Sequence, residues 1–317
     1  MTTPTGDHAE TTASSRATDL PYGVAPPRYR LPAATRLGRV RLQVSDLARS
    51  LEFYEGLLGF RVLRRADGER RAATLGTHGE EGRDTPLVEL VERAGARAVP
   101  RRGRLGLFHF AILLPTRVAL GGFLRHLAAV DASVGMADHA VSEALYLQDP
   151  DGLGIEVYAD RPRDTWRHEG RELYMTTEPL DVHGLVRAGG EAPWSGMPAG
   201  TTIGHVHLHV GDLFEGAAFY HEALGFDKVV WNYPGALFLS AGGYHHHLGT
   251  NTWAARAPRP EEGDARLLDW EVVVPDAAEA ERAAASLRES GRAAVADDEG
   301  GWRVEDPWGT VVRIVGG

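Results

Sequence analysis

Alternating apolar and polar positions open the ordered part of the chain. Val40, Leu42 and Val44 alternate with polar side chains, which predicts a β-strand beginning near Leu37. Ser45-Asp46 then supplies a helix N-cap, and the apolar positions from Leu47 onward have the spacing of an amphipathic helix that stops at Gly59. Another strand begins at Phe60, and residues 72–93 alternate as two strands around a polar hairpin. The pattern predicts a unit of one strand, one helix and three strands.

The same unit recurs three times. A second copy begins at Leu105, with a helix over 118–130 and strands near 144–147 and 154–158. A third opens at Thr202, and five of its residues repeat the first copy at one offset of 166 positions (212 − 46): Asp212, Phe219, Tyr220, Gly225 and Phe226 match Asp46, Phe53, Tyr54, Gly59 and Phe60. A fourth covers 267–315, where D-P-W-G at 306–309 repeats D-P-D-G at 149–152. Four similar units in two pairs indicate duplicated domains.

Changes in composition suggest the boundaries. Residues 1–34 are rich in Thr, Ser, Ala and Pro and are expected to form a disordered or loosely ordered N-terminal arm. Residues 35–162 are assigned to a first domain, the proline-containing stretch 163–200 to a linker, and residues 201–317 to a second domain. The 317 residues are enough for two domains that each bury a core.

Composition narrows the class of partner. The chain has 34 basic and 44 acidic residues, a net charge of −10, which disfavours nucleic acid and anionic membranes and favours a small molecule. No apolar run approaches a membrane span and no secretory signal pattern is evident, so a cytoplasmic location is expected. With no cysteine, any metal would be held by histidine and carboxylate.

Two polar residues lie inside apolar strand patterns. His109 lies in the segment FHFAI and Glu156 in IEVY. A buried carboxylate needs an ion pair, several hydrogen bonds or a metal. From these two residues alone, a metal site is as well supported as a core histidine and a solvent-facing glutamate.

The repeated unit carries motifs that resemble the vicinal oxygen chelate superfamily, which includes glyoxalase I, fosfomycin-resistance proteins and extradiol catechol dioxygenases. The V-x-D-L start, the F-Y…L-G-F helix end and the D-P-x-G-x-x-x-E close span most of 37–315. The segments 108–115, 138–147 and 242–253 resemble the two-domain, catechol-2,3-dioxygenase-like branch. The resemblance implies an α+β fold of two domains, each of paired βαβββ modules whose curved sheets form a cup around a metal.

In that superfamily the ligands come from the first strands of two paired units and the last strand of one of them, usually His, His and Glu. Pairing units in sequence order gives mixed sets with arginine, which would repel a cation. Pairing the second unit with the third, as in fosfomycin-resistance dimers, gives His109, Glu156 and His205 in one cup. The other cup then receives Arg39, Asp269 and Arg313, which we expect to pair for structure only.

The implied set is a 2-His-1-carboxylate site, which suits Fe(II), with Mn(II) as the alternative that ligand type does not exclude. His207 or His209 could replace His205, which is favoured because it lies seven residues before Asp212, as the family's ligand does.

Further groups are candidates for proton transfer. Tyr146 lies ten residues before Glu156 and resembles the extradiol tyrosine, although a strand tyrosine with its hydroxyl at the edge is equally supported. His139 resembles a second histidine of such sites. In the run His245-His246-His247, strand alternation would place His245 and His247 on the cup face and His246 opposite. Surface exposure of the run is the alternative.

The resemblance implies an extradiol ring-cleaving dioxygenase that acts on a small aromatic diol and O2. A homo-oligomer is compatible with it. A hydroquinone dioxygenase or a glyoxalase-type isomerase would use the same ligands. A drug- or metabolite-binding resistance protein is the alternative from another class, and it would have no need for the three ligands.

Overall fold

The computed structural model describes residues 22–68, 70–79, 84–100 and 103–317. Most of the predicted N-terminal arm lies outside these ranges. Its described part, residues 22–34, lies on the third module. Val24 forms a β-bridge with Lys228, and the backbone N–H of Leu31 donates to the carbonyl of Gly225.

Four βαβββ modules follow one another along the chain, as predicted. The first consists of β1 (Arg36–Val44), α1 (Leu47–Leu51, continued by a π-helical turn over Glu52–Leu57), β2 (Arg61–Ala66), β3 (Ala72–His78) and β4 (Asp84–Glu92). The second consists of β5 (Gly106–Leu113), α2 (Arg117–Ala129), β6 (Gly135–Asp138), β7 (Ser142–Gln148) and β8 (Gly154–Asp160).

The segment between the second and third modules is short of regular structure. It contains a 3-10 turn (Arg163–Thr165), the two-residue strands β9 (His168–Glu169) and β10 (Glu172–Leu173), and α3 (Val182–Ala188).

The third module consists of β11 (Thr202–His209), α4 (Leu213–Ala217, continued by a π-helical turn over Ala218–Ala223), β12 (Asp227–Val230), β13 (Ala236–Ser240) and β14 (Leu248–Asn251). The fourth consists of β15 (Arg266–Val274), α5 (Ala277–Glu289), β16 (Val295–Ala296), β17 (Trp302–Glu305) and β18 (Val311–Gly316). Each module helix begins at a side-chain cap: Asp46, Thr116, Asp212 and Asp276 each accept a hydrogen bond from a backbone N–H three residues later.

Two eight-stranded sheets hold the modules in exchanged pairs. The inner sheet, with order β12-β13-β14-β11-β5-β8-β7-β6, joins the second and third modules. The outer sheet, with order β16-β17-β18-β15-β1-β4-β3-β2, joins the first and fourth. The modules are therefore paired as the distribution of histidines and arginines predicted.

In both sheets the two first strands meet antiparallel at the centre. His207 pairs with His109 in the inner sheet, and Arg41 pairs with Asp269 in the outer sheet. Apolar side chains of both sheets belong to one continuous buried cluster, including Leu42 and Trp270 from the outer sheet and Phe110 and Val206 from the inner sheet.

One local prediction is wrong. The histidine run does not lie in a strand, since β14 begins only at Leu248. Gly242 and Gly243 precede the run with φ angles of 61° and 69°, so the chain turns through the left-handed region there. Strand alternation therefore does not apply to residues 245–247.

Among the described residues, no helix is both long and apolar enough to cross a membrane.

Candidate metal centre

Three adjacent central strands bring His109, Glu156 and His205 together. Ala111 on β5 pairs with His205 on β11 at one side and with Glu156 on β8 at the other. His109 lies two residues before Ala111, so its side chain shares that face of the sheet. The small side chain of Ala111 leaves space between the three polar groups.

The three side chains converge on one carboxylate oxygen. Nε2 of His109 lies 3.0 Å from Oε2 of Glu156, and Nε2 of His205 lies 3.1 Å from the same oxygen. The potential ligand atoms all lie within 4.8 Å of one another, and all three residues are buried. Nε2 of His109 is a buried atom without a hydrogen bond of good geometry. This arrangement fits a divalent cation, for which two imidazole nitrogens and a carboxylate are suitable ligands.

The protonation states also suit a metal. Burial opposes ionisation of Glu156, but the adjacent His205 and His109 outweigh it and hold the pKa of the carboxyl well below its usual range. Burial lowers the pKa of His205 to about 4, although Glu156 acts in the opposite direction. A carboxylate and a neutral imidazole are the forms that bind a metal.

The alternative histidines of β11 are engaged elsewhere. Nδ2 of Asn251 lies 2.9 Å from Nε2 of His207, and Oδ1 of Asn251 lies 2.7 Å from Nδ1 of His209. Asn251 therefore donates to one ring and accepts from the other. Of the three β11 histidines, the structure places His205 in the cluster with His109 and Glu156.

Tyr146 and His139 lie beside the cluster. Tyr146 on β7 pairs with Glu156 on β8, and its hydroxyl lies 2.6 Å from Nε2 of His139. Nδ1 of His139 lies 2.7 Å from the carbonyl oxygen of Thr176, which can only accept, so this nitrogen carries the proton. Nε2 of His139 then accepts from the hydroxyl of Tyr146. Burial, and next the charge of Glu156, raise the pKa of Tyr146 well above its usual value, so the phenol keeps its proton.

The histidine run is oriented differently from the prediction. His246 lines the cavity above the cluster, and its ring centroid lies 4.0 Å from that of His205. His245 and His247, predicted to face the cup, are not among the residues that line this cavity. Nδ1 of His247 instead accepts from the backbone N–H of Ala241 at 3.2 Å. The prediction of their direction assumed a strand, but the turn at Gly242-Gly243 means that side chains 245–247 do not alternate between two faces.

His245 lies behind His246 and connects it to a carboxylate. Nδ1 of His245 lies 2.7 Å from Nδ1 of His246, and Nε2 of His245 lies 2.9 Å from Oδ1 of Asp160. The carboxylate accepts from Nε2 of His245, whose Nδ1 then accepts from Nδ1–H of His246. This order leaves Nε2 of His246 unprotonated. Burial lowers the pKa of His246 well below its usual value.

The cavity over the cluster has a volume of about 280 Å³. Its other walls are mainly apolar or aromatic: Phe108, Ala137, Met175, Tyr233, Phe238 and Trp253, with His207 from β11 and Thr176 and Thr177 from the segment before α3. The contribution of residues 175–177 was missed, because that segment has no periodic pattern.

The equivalent positions of the outer sheet hold ion pairs. Arg39 and Arg313 lie 2.9 Å and 2.7 Å from Oε1 of Glu271, and Arg41 lies 2.8 Å from Oδ2 of Asp269. The two arginines were expected to pair with Asp269, and this prediction is wrong: Arg39 and Arg313 both pair with Glu271. Glu271 lies at the register position of Ala111, where a long carboxylate side chain can reach both guanidinium groups.

Comparisons with known proteins agree with this architecture. Residues 36–157 and 202–314 match the Glyoxalase/Bleomycin resistance protein/Dioxygenase superfamily. A catechol-2,3-dioxygenase of Bacillus subtilis (strain 168) is 46% identical over 277 residues, covering 86% of this chain and 94% of that protein.

Two solved structures share the fold. A putative dioxygenase of B. subtilis has a TM-score of 0.63 at 15% identity, covering 91% of this chain and 86% of its own. Glyoxalase I of Zea mays has a TM-score of 0.53 at 18% identity, covering 89% and 92%. The residues that match the family model come from all four modules and include the three clustered side chains. The chain therefore belongs to the Glyoxalase/Bleomycin resistance protein/Dioxygenase superfamily.

Proposed function

We propose that this protein is an extradiol ring-cleaving dioxygenase that acts on a catechol-type substrate. The observation that carries the proposal is the buried cluster of His109, Glu156 and His205 at one end of a largely apolar cavity. The 46% identity with a catechol-2,3-dioxygenase supports an oxidoreductase of this type. A cytoplasmic location and a homo-oligomeric state stay predictions.

His109, Glu156 and His205 would hold the metal, Fe(II) by preference and Mn(II) as the alternative. Two neutral imidazoles and one carboxylate leave coordination positions free for substrate and O2. When bound, such a metal would supply Lewis acidity toward the two hydroxyl groups of the diol.

His246 is the best-placed group to accept a proton from the diol. Its lowered pKa keeps the ring neutral at neutral pH. The side chain of His246 lines the cavity, and its Nε2 has no proton and can accept one. His245 and Asp160 act behind it as positioning residues that fix the tautomer of His246. The proton-transfer role moves from the predicted pair, His245 and His247, to His246.

Tyr146 and His139 form the opposite wall and orient the substrate. The hydroxyl of Tyr146 donates to His139 and can accept a hydrogen bond from a diol hydroxyl. The carbonyl of Thr176 fixes the ring of His139, so the pair presents a preorganised polar edge.

The lining of the cavity favours uncharged catechols. Its ionisable side chains are histidines, tyrosines and Glu156, and the described part of the lining includes no arginine or lysine. A substrate carboxylate would therefore be buried without a cationic partner, at a cost in free energy. Aromatic walls such as Phe108 and Trp253 fit apolar ring substituents.

The test is anaerobic reconstitution with Fe(II) or Mn(II), followed by oxygen uptake with catechol, 4-methylcatechol and 3,4-dihydroxybenzoate. We expect one O2 consumed per diol, a yellow ring-fission product, and at least about tenfold lower kcat/KM for the carboxylated diol. Turnover of hydroquinone but not catechol would instead support a hydroquinone dioxygenase. Isomerisation of the hemithioacetal of glutathione and methylglyoxal, without oxygen uptake, would support a glyoxalase.

A further inference from the structure

The outer sheet carries a second cavity, of about 370 Å³, that takes no part in the proposed reaction. We call it the arginine cavity, after the five arginines among its lining residues: Arg41, Arg70, Arg104, Arg266 and Arg303. Its acidic side chains are Asp269 and Glu305. The charged side chains of the lining therefore carry a positive balance, in a protein whose net charge is −10.

The arginine cavity overlaps part of the outer-sheet face that is equivalent to the inner cavity: Arg41, Asp269 and Arg303 line it, whereas Arg39 and Arg313, at the positions of His205 and Glu156, do not. Asp269 pairs with Arg41 as His109 pairs with His207. Arg303 pairs with Arg313 as Tyr146 pairs with Glu156. Duplication has thus produced two sites with the same backbone geometry and different chemistry. At the positions of His109, His207 and Tyr146, the outer sheet presents a carboxylate and two guanidinium groups.

Some of the arginines are already neutralised. Nε of Arg104 donates to Oδ2 of Asp264 at 2.9 Å, and Nη1 of Arg41 donates to Oδ2 of Asp269 at 2.8 Å. By contrast, within the described residues, no ion pair is found for Arg266 or Arg303. Arg303 is an exposed residue, so its side chain can turn toward a ligand at little cost.

Three buried side-chain atoms in the lining make no hydrogen bond: Nε of Arg41, which lies 3.4 Å from Oε2 of Glu89, Nε of Arg266 and Oδ1 of Asp269. Nε of Arg266 is a donor without an acceptor, and Oδ1 of Asp269 is an acceptor without a donor. Asp269 is only 1% exposed. A buried polar group that makes no hydrogen bond costs free energy, so a ligand that supplies both an acceptor and a donor would relieve both.

We propose that the arginine cavity is a second ligand site for a small carboxylate that also carries a hydroxyl group. The carboxylate is held by Arg266 and Arg303, whose planar guanidinium groups match a carboxylate with two parallel hydrogen bonds. The hydroxyl group donates to Oδ1 of Asp269. The site is separate from the metal centre and does not depend on the proposed reaction.

The test uses salicylate as the probe and isothermal titration calorimetry on the full-length protein freed of metal. Salicylate carries a carboxylate beside a hydroxyl group, benzoate lacks the hydroxyl group and phenol lacks the carboxylate. We expect salicylate to bind once per chain, benzoate several-fold more weakly, and phenol at least tenfold more weakly. Equal binding of phenol and salicylate would overturn the proposal.

Matched variants locate the binding site. Arg303→Gln and Arg266→Gln should each weaken salicylate binding about tenfold, whereas Arg64→Gln, the same change on an exposed residue of β2, should leave it within twofold. Arg303 and Arg64 are both exposed, so a fold defect is not expected in either variant. His246→Phe, in the inner cavity, should also leave salicylate binding unchanged. Absence of saturable binding, equal losses in Arg303→Gln and Arg64→Gln, or loss only in His246→Phe would overturn the proposal.

Discussion

Glu156 and Arg313 occupy equivalent positions on β8 and β18 but carry opposite charges. Glu156→Gln keeps the shape of the side chain and removes its charge, so we expect metal affinity to fall by at least about 100-fold, the upper range for losing a mere outer-shell partner. Arg313→Gln should leave metal content near the wild-type value. Metal per chain after dialysis, measured by mass spectrometry, is the readout.

The control for this pair is stability. Arg313→Gln leaves the partly buried Glu271 and Asp297 without one guanidinium partner and is expected to cost about 1–3 kcal/mol of unfolding free energy. Comparable metal loss in folded Glu156→Gln and Arg313→Gln would mean that the outer sheet also contributes to the metal centre.

The three histidines 245–247 are adjacent in sequence but face different surroundings. His246→Phe should lower turnover by about 10²-fold or more with metal content nearly intact, because it removes the proposed proton acceptor.

His247→Phe should change turnover far less, since the ring of His247 contacts the backbone at Ala241. His245→Phe should shift the pH profile of turnover, because His246 loses the ring that sets its tautomer. Unchanged turnover in His246→Phe would move the assignment to His139.

At the residue scale, some positions could be predicted from the sequence and others could not. His109, Glu156 and His205 lie in regular strands, where the register repeats between duplicated modules, so their convergence could be predicted. His246 follows the turn at Gly242-Gly243, and no periodic rule gives the direction of a side chain there. Met175 carried no recognisable signal either, and Asn251 lay in the segment 242–253 without a role that the motif could assign.

At the scale of elements, a repeated contact joins the two sheets. The hydroxyl of Tyr54 in the first module donates to Oδ2 of Asp149 in the second at 3.2 Å, and that of Tyr220 donates to Asp306 at 2.8 Å. Each aspartate also accepts two backbone N–H groups of its own D-P-x-G turn. The recurrence of these residues was evident in the sequence, but their pairing across sheets was not, because the tyrosine and the aspartate lie in different modules.

Burial raises the pKa of Asp149 to about 7, against about 4 in an unfolded chain, so its ionised form is disfavoured in the folded state. Because the folded pKa is the higher one, the unfolded chain binds fewer protons between these values, and stability falls as pH rises from about 4 to about 7. Asp149→Asn removes this contribution. Urea unfolding at intervals from pH 4.5 to 7.5 should show the variant gaining on the wild type by up to about 1.4 kcal/mol per pH unit. A difference in unfolding free energy that stays constant with pH would contradict this assignment.

At the scale of the whole molecule, the order of modules along the chain differs from their order in space. The inner sheet is built from two successive modules, and the outer sheet from the first and the last. Four similar modules fit together equally well by hydrophobic pattern, so the pattern alone could not choose the pairing. The separation of the histidine and arginine sets could choose the pairing, because a metal cation is not held beside a permanent positive charge.

The shared core predicts that the two sheets unfold together. Leu42 on β1 lies in the outer sheet, is fully buried and belongs to the same apolar cluster as Phe110 and Val206 of the inner sheet. Leu42→Ala should therefore cost about 2–5 kcal/mol of unfolding free energy. It should also lower the urea midpoint of unfolding and the urea midpoint for release of metal from the inner sheet by the same concentration. Far-UV circular dichroism and metal release should give coincident transitions in both proteins. Val295→Ala, at a position 58% exposed, is the control and should move neither midpoint appreciably. If Leu42→Ala splits unfolding into two transitions with the metal retained through the first, the sheets are independent units, and the inner pair of modules holds the metal centre without support from the outer pair.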